Sequence, residues 1–356
     1  MGYNTPMEQH EIIRDAFRQQ SQWCARLGSP FTSLLMSVFA EYLDETTQTG
    51  RALLNWDGSA DPLGDAVSLR LAGALHALVR RGQLPHLAAL YPPNPLPSFD
   101  QLAEAATVAL VQADEVILEW LRHPPQTNET ARSAALYAGF LTIADATRLP
   151  LHLFELGASA GLNLIADRYS YTLGGLASGA AGSPLKLAPE WTGPPPPDST
   201  IEIEARQGCD RAPLNVANDQ HCERLVGYVW PDQADRLARV ETAIALARKE
   251  AVALKAAEAA DWVEDEISVA PVSGVTRVLF HSIAWQYFSP DAQARITRRM
   301  EEAGEHATSG APLAWLTFEQ RDNKGPALSL RLWPGGHERV LATADAHVSK
   351  VTWLDG

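Results

Sequence analysis

The sequence predicts an α/β fold: a sheet domain with antiparallel C-terminal strands, preceded by an all-helical N-terminal domain. Three observations lead there. Residues 1 to about 148 carry apolar residues at helical spacing and contain no strand-like run. "LHLFEL" (151–156), "RVLFHSIAW" (277–285) and "PLAWLTFEQ" (312–320) are apolar on both faces, as strands buried in a parallel sheet are. "ALSLRLW" (327–333) and "HVSKVTWL" (347–354) alternate, as half-exposed antiparallel strands do. The domains implied are residues 1–148 and 149–356.

Taken in order, the helices begin with Ile12, Ile13, Phe17, Trp23, Cys24 and Leu27 at helical spacing, with Gly28 at the C-cap position. Ser29-Pro30 opens "FTSLLMSVFAEYL" in cap-then-proline order. Asp61-Pro62 repeats that signal ahead of "LGDAVSLRLAGALHALVRR", which Gly82 closes. Ser98 and Gln101 make a capping box before "LAEAATVALVQADEVILEWLR", ended by His123-Pro124-Pro125. A further helix is expected from about Asn128 to Thr147. Past "LHLFEL", strands are expected at "YSYTL" and "IEIEARQG". A long alanine-rich helix should span about Asp232 to Ala260, and Ser289-Pro290 should open another that reaches about Ala303. Residues 174–200, with Pro194 to Pro197 in a row, read as an irregular Pro/Gly-rich insertion. There is no internal repeat.

Composition narrows the function classes. A net charge of -14 with no Lys/Arg run argues against nucleic acid or an anionic membrane as partner. Cys24, Cys209 and Cys222 form no C-x-x-C pair, which speaks for a reducing cytoplasm and against a disulfide framework or a structural zinc site. No metal site is expected. The N-terminus lacks the pattern of a signal peptide, and no segment approaches the ~18 apolar residues of a spanning helix. These features predict a cytoplasmic protein with a small-molecule substrate.

The chemistry turns on "ELGASAGLNLIADRY" (155–169). Gly157-Ala158-Ser159-Ala160-Gly161 spells G-x-S-x-G, the nucleophile elbow of serine hydrolases. That reading requires several strands before Ser159 and an upstream H-G-G-G-type loop, and the sequence has neither. A downstream His337 keeps a triad open by chain order. As a cofactor loop the stretch fits better: Gly157 turns the chain, Ala158, Ser159 and Ala160 keep the ligand side clear, and Gly161 allows close approach. "LNLIADRY" is then expected to begin a helix whose N–H groups face the ligand. Glu155 would repel a dinucleotide pyrophosphate but attract the ammonium and sulfonium of S-adenosylmethionine.

With "TNETARSAAL" (127–136), "RQGCDRAPLN" (206–215), "WPDQADR" (230–236) and "FHSIAWQY" (280–287), these residues make the chain resemble, over nearly its whole length, a bacterial family catalogued as domain of unknown function 2332. The resemblance implies a Rossmann-like, class I methyltransferase-type core and no assigned substrate. The chain departs from the methyltransferase pattern in three ways. Ser159 replaces the middle glycine of E-x-G-x-G-x-G, no acid ends "YSYTL", and "PLAWLTFEQ" runs into "ALSLRLW" without a helix between.

Other residues extend this expectation. Glu155, Gly157, Ala158, Ser159 and Gly161 would hold the cofactor, assisted by Asn163, Asp210 and Ser282. Asp210 serves equally well as an Asx-turn. His281 reads as a general base or as a satisfied core histidine; Trp285 and Tyr287 could hold a cationic centre or simply pack. Asn128, Glu129 and Arg132 form a candidate substrate-contacting trio, although helix capping explains them as well. Asp232 reads as a helix cap. The expected activity is methyl transfer from S-adenosylmethionine to a small molecule, giving S-adenosylhomocysteine. The alternatives are a non-catalytic cofactor-binding protein and a serine hydrolase.

Overall fold

The computed structural model describes residues 6–61, 64–321 and 325–355. Pro62 of the expected cap signal lies outside them. The chain divides into two compact units, one of residues 1–127 with 219–238, the other of residues 128–218 with 239–356. The expected boundary near 148 is therefore displaced: the helix Ser133–Thr147 belongs to the sheet unit, and a later segment returns to the helical one.

In the helical unit, Pro6–Arg26, Pro30–Tyr42, Gln48–Leu54, Val67–Arg80, Phe99–Gln112 and Asp114–Leu121 bury their apolar faces in one core built on Phe17, Phe31, Leu35, Phe39, Leu71, Leu75 and Leu102. The Ser98–Gln101 capping box forms in both directions. Ser29 does not cap Pro30–Tyr42; its hydroxyl is buried without a partner. Asp232 caps that helix instead, accepting from Phe31 N at 2.9 Å and Thr32 N at 3.1 Å. Asp232 thus caps a helix some 200 residues earlier in the chain, not the one that follows it. The returning segment is further anchored at Tyr228, whose ring occupies the space a Cβ on Gly73 would need, and at Gly227 O, which faces His76 Nδ1 at 3.2 Å. Desolvation pushes the His76 pKa down to about 4, so its ring is neutral.

The second unit is α/β. Its strands are β1 (Leu151–Leu156), β2 (Ser170–Leu173), β3 (Leu176–Gly179), β4 (Lys186–Leu187), β5 (Glu190–Thr192), β6 (Ile203–Asp210), β7 (Ala253–Ala256), β8 (Thr276–Ser282), β9 (Leu313–Gln320), β10 (Pro326–Trp333), β11 (Glu338–Ala344) and β12 (Lys350–Trp353). Nine of these form one sheet in the order β5-β12-β11-β10-β9-β8-β1-β6-β7, parallel from β7 through β9 and antiparallel from β9 through β12. β2, β3 and β4 make a separate small sheet, so "YSYTL" is no part of the main one.

Alternation along the central strands gives the sheet two distinct faces. Phe154, Leu156, Leu279 and Leu313 pack under the helices Ala259–Glu266 and Pro290–Glu305 through Trp262, Val263, Ile296 and Met300. On the other face lies Ser133–Thr147, with Phe140 edge-on to Phe280 at 5.3 Å and Gly139 close enough to Leu316 that a Cβ would stand 2.6 Å from it.

Four further expectations are corrected. The alanine-rich helix expected to Ala260 ends at Ala247, and β7 follows. β10 is largely buried rather than half-exposed, because β9 and β11 flank it and the Ser133–Thr147 helix covers it. Part of the 174–200 insertion is ordered as strands, β5 adding to the sheet edge. No α-helix follows β1: residues 157–165 are turns, ending in a single 3-10 turn at Ala166–Arg168. Among the described residues no helix is long and apolar enough to cross a membrane.

Candidate functional site

The loop after β1 is a tight, left-handed turn. Gly157, Ser159 and Gly161 all have positive φ, at 65°, 51° and 71°. A Cβ on Gly157 would stand 2.9 Å from that of Ala284. Gly208 on β6, paired with Glu155, leaves room for Ala158, whose Cβ would otherwise be 2.8 Å away.

Protein acceptors already use several of the loop's N–H groups. Ala158 N donates to Cys209 O at 3.0 Å, Ser159 N to Asp210 Oδ2 at 3.0 Å, Gly161 N to Ala158 O at 2.7 Å, and Leu162 N to Asn128 Oδ1 at 2.9 Å. Asp210 also accepts Ala212 N at 2.9 Å, as in an Asx-turn, so it closes its own turn and braces the loop together. It ends β6, the strand beside β1.

Glu155 lies on the Ser133–Thr147 face and is 2% exposed, and its Oε2 has no hydrogen-bond partner. Desolvation, with the charge of Asp210 adding to it, holds its carboxyl well above the usual carboxylate range, against the hydrogen bond of Asn163 and the charge of Arg132. Asn163 Oδ1 in turn accepts from Ser133 Oγ at 2.7 Å, at the start of that helix. Ser159 Oγ and Thr130 Oγ1 are likewise buried without partners.

The trio Asn128, Glu129 and Arg132 joins the loop to the ends of other strands. Glu129 is the N-cap of the short 3-10 turn Thr130–Arg132, accepting from Ala131 N at 3.2 Å. Arg132 Nη1 donates to Ser282 O at the end of β8, and its Nε to Ala346 O, both at 3.1 Å. The segment 128–133 therefore contacts the β1 loop, β8 and the turn before β12.

His281 does not join this group. It lies on the opposite face, with Nδ1 2.7 Å from Glu319 Oε1 and Nε2 accepting from Trp315 Nε1 at 3.1 Å. Both ring nitrogens are engaged, so no lone pair is left for a general base. This is the geometry of a hydrogen-bonded core histidine. Trp285 stacks on this ring at 5.0 Å, and Tyr287 is exposed. Sequence reasoning missed Glu319, which also accepts Ala284 N and Trp285 N, and His347, which faces Glu129. No short-range pattern marks either.

Ser159 Oγ has no histidine bonded to it, and His337 stands between β10 and β11. Burial pushes the Cys24 and Cys209 thiols up to about 11 and about 12, so neither is an activated nucleophile. No group of three or more His, Cys, Asp or Glu able to hold a metal occurs among the described residues.

A family model described as an uncharacterized protein conserved in bacteria (DUF2332) matches residues 14–353, and the chain belongs to that family. A comparison with curated proteins gave no match.

Proposed function

We propose that this protein transfers a methyl group from S-adenosylmethionine to a small molecule. The observation that carries this reading is the buried, unpartnered Glu155 Oε2 at the carboxyl end of β1. A buried acceptor without a partner is expensive, and an ammonium or hydroxyl donor on a ligand would relieve it.

The surroundings favour a cationic over an anionic cofactor. Asp210 and Glu155 flank the loop, and several of the N–H groups that would cradle a pyrophosphate are occupied by protein acceptors. The strand order β7-β6-β1-β8-β9 also supports a Rossmann-like, methyltransferase-type core. In such sheets the ligand lies beyond the carboxyl ends, where the chain order reverses, here between β1 and β8.

In this reading Glu155, Gly157, Ala158, Ser159 and Gly161 would hold the methionine and ribose end. Asn163 and Asp210 would fix the loop, and Ser282 would line the β8 side. S-adenosylmethionine supplies an electrophilic methyl carbon on a sulfonium; the chain binds and orients it and excludes water.

The first test is a thermal melt with S-adenosylmethionine, S-adenosylhomocysteine, NAD and ATP, with mass analysis of any cofactor released on denaturation. A ligand at ~100 times its Kd adds about 2.7 kcal/mol to the folded state. The two sulfur nucleosides should stabilise wild type and the dinucleotide should not. Glu155→Gln should melt near wild type and weaken binding by ~10-fold or more, since a hydrogen bond to a charged group contributes about 1.5–3 kcal/mol. A full response in Glu155→Gln would sink the reading.

A further inference from the structure

Glu129 and His347 form a second acid–histidine pair, built unlike the one at His281. The Glu129 side chain is fully buried and its Oε2 stands 3.2 Å from His347 Nδ1. The His347 side chain is 35% exposed, and among the described residues nothing hydrogen-bonds its Nε2. The turn carrying it is fixed from several sides. Asp345 Oδ1 accepts His347 N at 2.9 Å, Asp345 Oδ2 accepts Ser349 Oγ and Lys350 N at 2.8 Å, and Arg132 holds Ala346 O. The same Arg132 reaches Ser282 O on β8, while its neighbours Asn128 and Ser133 hold Leu162 and Asn163 of the β1 loop. One six-residue segment, 128–133, therefore ties an oriented imidazole to the loop beside Glu155.

We propose that His347 Nε2 is the proton acceptor of this site, with Glu129 as its positioning residue. The methyl acceptor is then a small molecule whose nucleophilic oxygen or nitrogen bears a proton at neutral pH. This rests on the methyltransferase reading. Glu129 accepts from Nδ1–H, which fixes the tautomer with a lone pair on Nε2. As the acceptor's lone pair forms the new bond to the methyl carbon, the carbon–sulfur bond breaks and its electron pair stays on sulfur. The acceptor's proton passes to Nε2, and the imidazolium rests against Glu129 until it returns the proton to water.

Nitrogen-15 NMR of histidine-labelled protein tests the pair without turnover, with His347→Asn assigning the signal. Wild type should show Nδ1 protonated and Nε2 bare. In Glu129→Gln the amide oxygen must still accept Ala131 N–H, which turns the NH2 toward Nδ1 and moves the proton to Nε2. A merely structural contact would not produce this reversal.

Carbethoxylation by diethyl pyrocarbonate, read by mass spectrometry, then asks whether Nε2 faces the site. S-adenosylmethionine at about ten times its Kd leaves roughly one-eleventh of sites open, so modification of His347 should slow about tenfold. An Nε2-protonated wild type overturns the proposal. So does an unchanged modification rate in protein whose melt does respond to S-adenosylmethionine. A melt that does not respond overturns the methyltransferase reading, and this inference with it.

Discussion

Two clusters of buried polar side chains stand at the carboxyl ends of β1 and β8, on opposite faces of one sheet, and they are finished to different degrees. Around His281 the bonds close: Glu319 Oε1 meets His281 Nδ1, Ala284 N and Trp285 N, while Trp315 takes Nε2. Around Glu155 they do not: Glu155 Oε2, Ser159 Oγ and Thr130 Oγ1 are buried with nothing bonded to them. A closed network holds a fold together, whereas buried groups left without partners cost stability that a bound ligand can recover. On that difference rests the proposal that the Glu155 cluster, and not the His281 cluster, is the ligand site.

The largest effect that would break this comparison is expected at Glu319. Glu319→Ala strands His281 Nδ1–H and two backbone N–H groups, at a loss of about 3 kcal/mol of stability. Chemical denaturation should show that loss, while the variant's remaining folded protein binds S-adenosylmethionine with the wild-type Kd. A Kd raised tenfold would mean that the two faces are coupled and the division is wrong.

The second prediction sharpens the open side through protons. The Glu155 pKa is raised in the free protein, so this group favours folding below the ordinary carboxylate range, and that contribution is lost as pH rises through its folded value. A cationic ligand would demand the charged form. Below the folded pKa its binding should release about one proton and tighten roughly tenfold per pH unit, levelling off above it. Calorimetry in two buffers of different ionisation enthalpy measures that proton directly. No proton release anywhere on the acid side of the binding profile would separate Glu155 from the ligand.

What could be read from the sequence follows the range of the interactions. Strands apolar on both faces, the Ser98–Gln101 box and the placing of Glu155 before a small-residue turn are written in neighbouring residues. The failed helix after Gly161 shows the limit. Leu162, Leu164, Ile165 and Ala166 are all buried, and the Leu162 and Ala166 carbonyls accept from the Tyr169 and Tyr171 hydroxyls at 2.6 Å. Packing and two phenols displace the helix that spacing alone suggests. Asp232 capping Phe31, Glu319 fixing His281 and Glu129 facing His347 all join residues far apart in the chain. His347 was hidden further by its place at the start of an alternating run that reads as a strand.

The smallest effect concerns Ser159, where the loop departs from the glycine of methyltransferases. Its φ of 51° lies in the left-handed region, which disfavours a residue with a Cβ by roughly 1–2 kcal/mol. Its buried hydroxyl is unpartnered as well. Glycine at this position removes both penalties but gives the unfolded chain more freedom, worth roughly 1 kcal/mol in the other direction. Ser159→Gly should therefore match wild type or gain up to about 1 kcal/mol, and it should keep the S-adenosylmethionine shift. If the hydroxyl is instead held in a strained turn because it is a nucleophile, a fluorophosphonate will label wild type and not Ser159→Gly. Labelling would also demand a base, and the Ser159 hydroxyl has no histidine bonded to it. A cofactor shift that survives Ser159→Gly, with no label on wild type, leaves the serine a spacer in a loop shaped around Glu155.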